Sequence, residues 1–492
     1  MLPFSNFLDR VHQALPPDLP VYLVGGAVRD AMLGRPVHDL DFALTGDVLK
    51  IGRRVANTLG AAYYPLDTEH GTARVILEQP DGRRDVLDFA ALRGPDLESD
   101  LRLRDFTVDA MAVSVDEPQT LIDPLGGAAD LRLGVLRACS PEAFTNDPVR
   151  ILRAVRLAAA FNWRIQPETR SLMGQAAGFL PRVSAERLRD ELFRILDAPQ
   201  PSASIRLLDR LGVLPYILPE LPALQGVTQS APHVRDVWDH TLDVIQRFQA
   251  VLSVLALPPD PDSCANLALG LISMRLGRYR EQIQAHLNTP LNGDRPLRPL
   301  LLLAALYHDI AKPQTRRVEE GGRIRFFEHE LLGAQIIAAR AQALHVSNDE
   351  IERLRLIVRH HMRPHLLGQE GALPSRRAIY RFFRDTGAAG VDICLLSLAD
   401  TLATYGPTLP PQVWGSEIDV VRALLEAWWE QPHEIVSPPV LVNGNELMQA
   451  FHLQPGPRIG LLMEAIREAQ ANGEVSSREQ ALELAQRMLA RE

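Results

Sequence analysis

The sequence predicts an α+β amino-terminal head followed by an all-helical remainder. Up to residue 140, short apolar runs are cut by turns rich in glycine and proline, and few helical patterns separate them. From about residue 141 onward, apolar residues recur at helical spacing almost without a break. The chain has 492 residues, enough for two to four domains at roughly 100–200 residues each.

In the head, Val21-Tyr22-Leu23-Val24 reads as a strand stopped by Gly25-Gly26, and the stretch Asp41-Phe42-Ala43-Leu44 as a second. Thr72–Leu77 and Asp85–Phe89 flank Pro80-Asp81-Gly82, a hairpin signal, and Ala110–Val115 makes a fifth strand. Beyond the head, Pro148 suits the first turn of a helix reaching Ala160, with Ile151, Leu152, Val155, Ala158 and Ala159 on its apolar side. Ser184 opens another helix. Residues 256–262 read as a loop. Gln431-Pro432-His433 and Ser437-Pro438-Pro439 read as a linker to a last helical unit. The expected boundaries are a head over 1–140, a neck and body over 141–230, a further helical domain over 231–432 and a tail over 440–492.

Hydrophobic residues make up 46% and charged residues 23%, the composition of a globular protein. No run of 18 or more apolar residues is present, and the start lacks the basic flank and apolar core of a signal peptide. Cys139, Cys264 and Cys394 are too few and too scattered for a disulfide framework, which suits a reducing cytoplasm. The formal charge of −9 speaks against a nucleic-acid binder only as an average. Between Arg150 and Arg194 there are nine arginines and four acids, a positive surplus fit for phosphate contact. Lys50 and Lys312 are the only lysines, a bias that reads as codon usage.

Two glycines directly after a strand let main-chain N–H groups approach a phosphate, and a helix opening there with Arg29 adds positive charge. Downstream, Asp39 and Asp41 stand at i and i+2, so a strand puts both carboxylates on one face. Such a pair can hold two Mg²⁺ ions for phosphoryl or nucleotidyl transfer. Together, Gly25, Gly26, Arg29, Asp30, Asp39 and Asp41 resemble the catalytic head of the polymerase-beta-like nucleotidyltransferases, specifically the bacterial tRNA nucleotidyltransferase (CCA-adding) and poly(A) polymerase family.

The resemblance implies several further roles. Asp88, five residues before Arg93, matches the family's third carboxylate, with Asp85 as a competitor better suited to a hairpin role. Arg104 and Asp105, in Arg104-Asp105-Phe106-Thr107-Val108-Asp109-Ala110, match residues that contact the ribose and phosphates of the incoming nucleotide. Leu103 stands where many relatives carry arginine, and Asp109 where they carry asparagine. Asp147 and Arg150 match the pair that reads the base edge of CTP or ATP in place of a nucleic-acid template, and Arg153 and Arg156 follow on the same helix. Asp147 could also cap that helix. Asp123–Gly127 reads as turn chemistry, and Glu186, Arg187 and Glu191 belong to a bracing helix. Ten residues separate Arg93 from Arg104, a short spacing like that of relatives that stop after two Cs.

In the helical half, His240, the adjacent His308-Asp309 and Asp400 follow in the order of the HD superfamily of metal-dependent phosphohydrolases. Imidazole and carboxylate together suit a divalent transition metal or Mg²⁺. His329 and either His360 or His361 match extra positions for a second metal or a phosphate. The tail, with Val442–Met448 and Gln454–Gly460, resembles that of HD-containing relatives and is expected to pack rather than to bind.

The expected architecture is therefore a small mixed-sheet head, a helical neck and body, an HD domain and a helical tail. The implied function is untemplated addition of CMP to tRNA 3′ ends, with two Cs as the favoured product and full CCA open. The partners are tRNA, CTP and ATP, with Mg²⁺ in the head. A poly(A) polymerase is the nearest alternative, against which residues 440–492 lack a strongly basic character. An HD phosphohydrolase with an RNA-binding head is the second.

Overall fold

The structure is a computed structural model describing residues 5–490 apart from 18, 70, 80–83, 260–261, 263–265, 294 and 369–371. The predicted Pro80-Asp81-Gly82 turn and Cys264 lie outside the described residues. The chain divides into two compact units. One comprises Met1–Glu191 with Arg210–Ile217, and the other Leu192–Asp209 with Leu218–Glu492.

In the first unit, seven strands form one mixed sheet: β1 (Val21–Val24), β2 (Asp39–Leu44), β3 (Ala62–Asp67), β4 (Thr72–Glu78), β5 (Arg84–Ala91), β6 (Ala112–Ser114) and β7 (Leu121–Ile122). Their order is β3-β4-β5-β2-β1-β6-β7. The pair β2/β5 is parallel and the others are antiparallel. All five predicted strands are present. Strands β3 and β7 escaped the sequence pattern, β3 because it carries Pro65 and exposes Tyr64 and Leu66, so no apolar–polar alternation marks it. The expected fifth strand is cut to Ala112–Ser114, since Thr107–Asp109 winds into a 3₁₀ turn.

Alternation sets the faces of the sheet. On β2, Leu40 and Phe42 are buried whereas Asp39 and Asp41 are exposed. On β5, Leu87 and Phe89 are fully buried, and Phe42 stacks on Phe89 at 5.0 Å between ring centroids. The helix Val48–Leu59 covers this apolar face, burying Val48, Ile51, Val55 and Ala56. The carboxylate-bearing face is left for chemistry.

The helix Arg150–Phe161 belongs to the same compact unit as the sheet. It starts two residues after Pro148, and the Asp147 side chain does not cap it. The second unit is helical apart from a small hairpin, Arg316–Val318 with Ile324–Phe326. Its core is built on the almost wholly buried helices Leu297–Tyr307 and Ala389–Tyr405. The expected linker at 431–437 is instead a packed π-helical turn, Pro432–Val436, with Ile435 buried against neighbouring helices. Proline and serine flank a buried apolar side chain there, so composition alone misreads the segment. The tail has its own core around Val442, Leu447, Leu462 and Ile466. Arg377 and Arg381 clamp its Glu468. Among the described residues, no single helix is long and apolar enough to cross a membrane.

Candidate active site and metal centre

Asp41 and Asp88 are direct register partners across the parallel β2/β5 pair, and Asp39 lies opposite Val86. Parity therefore brings Asp39, Asp41 and Asp88 to one face. Asp85 is excluded, since it points with Leu87 and Phe89 and accepts from His38 Nδ1 at 3.1 Å and from Gln79. Although solvent reaches Asp41, surrounding protein excludes enough water to raise its pKa, and the neighbouring Asp88 charge adds to the effect. Arg104 and Arg153 oppose it.

Gly25 ends β1 at φ +76°, ψ −139°, a conformation reserved for glycine. A Cβ there would lie 3.0 Å from Arg104 Nη1 and 3.6 Å from Asp41 Oδ2. The bare backbone thus makes room for a guanidinium beside the carboxylates. The Gly25 N–H is not free for phosphate, because it donates to Met111 O at 3.3 Å. Arg29 also departs from the expectation: its guanidinium turns inward. Nε and Nη2 donate to Asp30 at 2.9 and 3.0 Å, Nη1 donates to Asp109 at 2.5 Å, and Phe161 lies 4.8 Å beneath. Asp109, in the asparagine position, is thus a buried anion shared by Arg29 and Arg153.

Arg104 donates from Nε and Nη2 to Asp100 at 3.1 and 2.9 Å. Arg93 donates from its amide and Nε to the other Asp100 oxygen at 3.1 and 3.2 Å. Asp100, 2% exposed, therefore locks both ends of the short Arg93–Arg104 segment. The helix Leu97–Arg102 between them is capped by Asp96, which accepts from the Ser99 N–H at 2.8 Å. Asp105 is held by Arg153 at 2.7 Å.

Arg150 Nη2 donates to Leu103 O at 3.0 Å, and Nη1 donates to the carbonyls of Arg104 and Ala143. Asp147 accepts from Arg187 at 2.7 Å and lies 4.0 Å from Arg150 Nε. Arg156 pairs with Glu191 at 2.7 Å, so the expected bracing helix, Ala185–Asp197, touches the helix Arg150–Phe161 through Glu191 and the residue before Pro148 through Arg187. Asp123 serves as a turn residue, accepting from the Gly127 and Ala128 amides at 2.7 and 2.9 Å. Sequence reasoning missed Asp100 and Arg74. Arg74 donates to both Asp88 oxygens, at 2.8 and 2.7 Å.

The second unit carries a separate cluster. His240, His308 and Asp400 form one buried group whose ligand-capable atoms lie within 4.8 Å of one another. Asp309, His329 and His361 form another. Asp309 faces both: Oδ2 is 3.2 Å from His308 Nε2, and Oδ1 is 3.4 Å from His329 Nε2. His308, His329 and His361 each direct Nδ1 at a carbonyl three residues back, at 2.7, 2.9 and 2.7 Å. That bond fixes the tautomer and leaves Nε2 for a metal. His240 Nε2 lies 3.1 Å from Asp400 Oδ1, and Lys312 Nζ lies 2.7 Å from Asp309 Oδ2, so imidazole nitrogens and carboxylate oxygens converge in one buried space, a donor set that suits a divalent cation.

Burial would raise the Asp309 carboxyl, but His308 and Lys312 hold it well below the usual carboxylate range. Of the two adjacent histidines, His361 joins the cluster. His360 belongs to neither group; burial, then Arg363, pushes its pKa down to about 4. His365, four residues on from His361, was missed. It links Asp400 to Glu417, at 3.1 Å on each side. A cavity of about 730 Å³ opens beside the cluster, lined by Asp309, His329, Lys312, Arg323, Phe327 and Tyr405 among others.

A carboxylate-bearing mixed sheet beside a glycine turn, with an arginine-rich helix closing it, defines a nucleotidyltransferase head, here joined to an HD-type histidine–aspartate centre. Family models match four segments of the chain. Residues 21–137 match the poly A polymerase head domain, 162–224 the probable RNA and SrmB-binding site of polymerase A, 270–404 the HD domain and 421–485 a putative tRNA nucleotidyltransferase domain 2. The chain is 33% identical over 486 residues to the A-adding tRNA nucleotidyltransferase of Deinococcus radiodurans, covering 97% of this chain and 98% of that protein. It is 34% identical over 483 residues to the CC-adding tRNA nucleotidyltransferase of Thermus thermophilus, covering 94% of each. A solved structure of a CCA-adding enzyme in its apo form shares the fold, with a TM-score of 0.61 and 22% identity, over 99% of this chain and 93% of that one. The chain belongs to the tRNA nucleotidyltransferase family.

Proposed function

We propose that this nucleotidyltransferase adds two CMP residues to tRNA 3′ ends and stops there, working in the cytoplasm. The observation that carries this reading is the locked segment between Arg93 and Arg104. Asp100 ties both of its ends, and the carbonyls of Leu103 and Arg104 hold the Arg150 guanidinium. Asp147 and Arg150 are the base-reading pair. A carboxylate accepts from the exocyclic amine of cytosine, while a guanidinium donates to its ring nitrogen and carbonyl. To accept adenine after cytosine, that pair has to move. A wall whose carbonyls hold the Arg150 guanidinium, and which is itself pinned by a buried carboxylate, resists that move and favours one base size. The full-length relatives are named for C or A addition to tRNA, which disfavours the poly(A) polymerase alternative.

In the head, Asp39 and Asp41 would hold Mg²⁺, for which an oxygen-only donor set fits. Mg²⁺ bound there would supply charge for attack of the terminal ribose hydroxyl on the nucleotide α-phosphate. The protein's own part is positioning. Gly25 clears space for Arg104 beside Asp41, Arg104 and Asp105 orient the sugar and phosphates, and Arg153 steadies Asp105.

The second centre is read as a phosphohydrolase. Its support is Asp309 facing both histidine groups beside a cavity with Lys312 and Arg323 on its wall. The six-ligand set of nitrogen and oxygen suits a transition metal or Mg²⁺.

The test gives purified protein tRNAs ending at the discriminator base, at C and at CC, each with a single NTP. CMP is expected to add to the first two, and the CC-ending tRNA should accept nothing. Ready AMP addition to the CC-ending tRNA overturns the proposal.

A further inference from the structure

Asp88 is already engaged. Its register partner on the adjacent strand is Arg74, and the guanidinium fork spans the carboxylate, Nε to Oδ1 at 2.8 Å and Nη2 to Oδ2 at 2.7 Å. Register places Arg74 on the face that carries Asp39, Asp41 and Asp88. Asp39 and Asp41 also attract the guanidinium. It is part-exposed, at 41%, so it stands at the open edge of the site. A bidentate arginine takes the in-plane lone pairs that a divalent ion would use.

We propose that Arg74 competes with the divalent cation for Asp88, and so confines the head's metal site to Asp39 and Asp41. Arg74 is then a positioning residue: it acts on the reaction by deciding where the cation sits. This rests on the reading that Asp39 and Asp41 hold the metal.

The proposal has an unusual sign. Removing Arg74 frees Asp88 as a ligand and also removes a positive charge beside the incoming cation. Both effects tighten metal binding. If Arg74 merely supported the β4/β5 pair, its loss would loosen the sheet and weaken metal binding. A cation drawn toward Asp88 is misplaced for the chemistry, so turnover falls as affinity rises.

The experiment titrates Mn²⁺, a paramagnetic stand-in for Mg²⁺, into full-length protein and follows free ion by electron paramagnetic resonance. All proteins carry His308→Ala and Asp309→Ala, so that the second centre is silent. Arg74→Ala is expected to bind Mn²⁺ about ten-fold tighter, with kcat for CMP addition lower by about ten- to a hundred-fold. Asp88→Asn alone should weaken binding, and in that background Arg74→Ala should gain much less, as coupled partners do. Unchanged or weaker Mn²⁺ binding by Arg74→Ala overturns the proposal. So does an equal gain in the Asp88→Asn background, since the effect would then not pass through Asp88. Head Mn²⁺ binding that survives Asp41→Asn overturns the metal reading along with it.

Discussion

Asp41 on β2 and Asp88 on β5 face one another directly across a parallel strand pair, so their carboxylates leave the sheet from the same side. Antiparallel neighbours such as Asp88 and Arg74 share that side too. Four charged side chains thus converge on one patch purely through strand register. The patch is electrostatically strained by its three carboxylates, and burial together with Asp88 raises Asp41. Asp41→Ala is expected to abolish nucleotide addition, at least about a thousand-fold in kcat, while any hydrolytic activity of the second unit persists. Nucleotide incorporation and phosphate release measured on the same preparation check both halves. Persistent addition would mean that the metal assignment is wrong.

Gly25 offers a sharper probe, because its replacement acts on Arg104 without removing a charged side chain. Its conformation costs a non-glycine residue roughly 1–3 kcal/mol. The new Cβ would press on Arg104 Nη1 at 3.0 Å. Gly25→Ala should therefore lower Tm measurably and cut kcat/KM for CTP. Thermal melts alongside single-nucleotide incorporation test this; wild-type values for both would show that the glycine turn is dispensable.

How much of this was legible in the sequence differs from residue to residue. Asp39 and Asp41 share a face because a strand has period two, and that needs no tertiary knowledge. The histidines and aspartates that cluster in the second unit were legible from type and order. Asp100 was not. It reads as one of several acids in Pro95–Leu101, and its role depends on two arginines reached only once the segment folds back on itself. Arg74 likewise acquires its partner through register between β4 and β5, which the alternating pattern does not encode. Arg29 was misjudged because its motif neighbours suggested phosphate, whereas burial gave it Asp30 and Asp109. The choice between His360 and His361 rested on which side of the helix end faces the cluster. His365 had a signal in its spacing from His361, but its partner Glu417 is distant in sequence.

The Asp100 clamp gives a pH dependence of definite sign. Burial works to raise this carboxyl, but Arg104, the Arg93 amide and the Arg93 guanidinium outweigh it and lower the pKa. A folded-state pKa below the unfolded one contributes stability above the unfolded value of about 4. That contribution is lost as pH falls through the folded value. Asp100→Asn should thus cost about 1.5–3 kcal/mol near neutrality, with the gap to wild type closing below about pH 4. Urea melts of both proteins across that range decide it, and a gap that widens on acidification would contradict the assignment.

The second centre should come apart from the first. His308→Ala with Asp309→Ala removes one ligand from the first histidine group and the carboxylate that faces both. Metal content by mass spectrometry should fall, and chelation should no longer change whatever phosphomonoester hydrolysis remains. CMP addition should stay at the wild-type level. A loss of addition equal to the loss of hydrolysis would show that the two centres are not separable.

On the proposed base-reading role of Asp147 and Arg150, base choice runs through a three-residue relay. Arg187 holds Asp147 at 2.7 Å, Asp147 lies 4.0 Å from Arg150, and Arg150 is anchored on the Leu103 and Arg104 carbonyls. Arg187 is half-exposed, so its replacement does little to the core. It does release Asp147 Oδ2, which Arg187 otherwise holds. Each good base-edge contact is worth about 1–3 kcal/mol of discrimination. Asp147→Ala and Arg150→Ala should each reduce the CTP-over-ATP preference by about ten- to a hundred-fold. Arg187→Ala should relax it less and leave the KM for tRNA nearly unchanged. Competition assays with both nucleotides present and a tRNA ending in C measure the ratio directly. If Arg187→Ala instead weakens tRNA binding at unaltered base preference, Arg187 is a phosphate contact and the relay ends at Asp147.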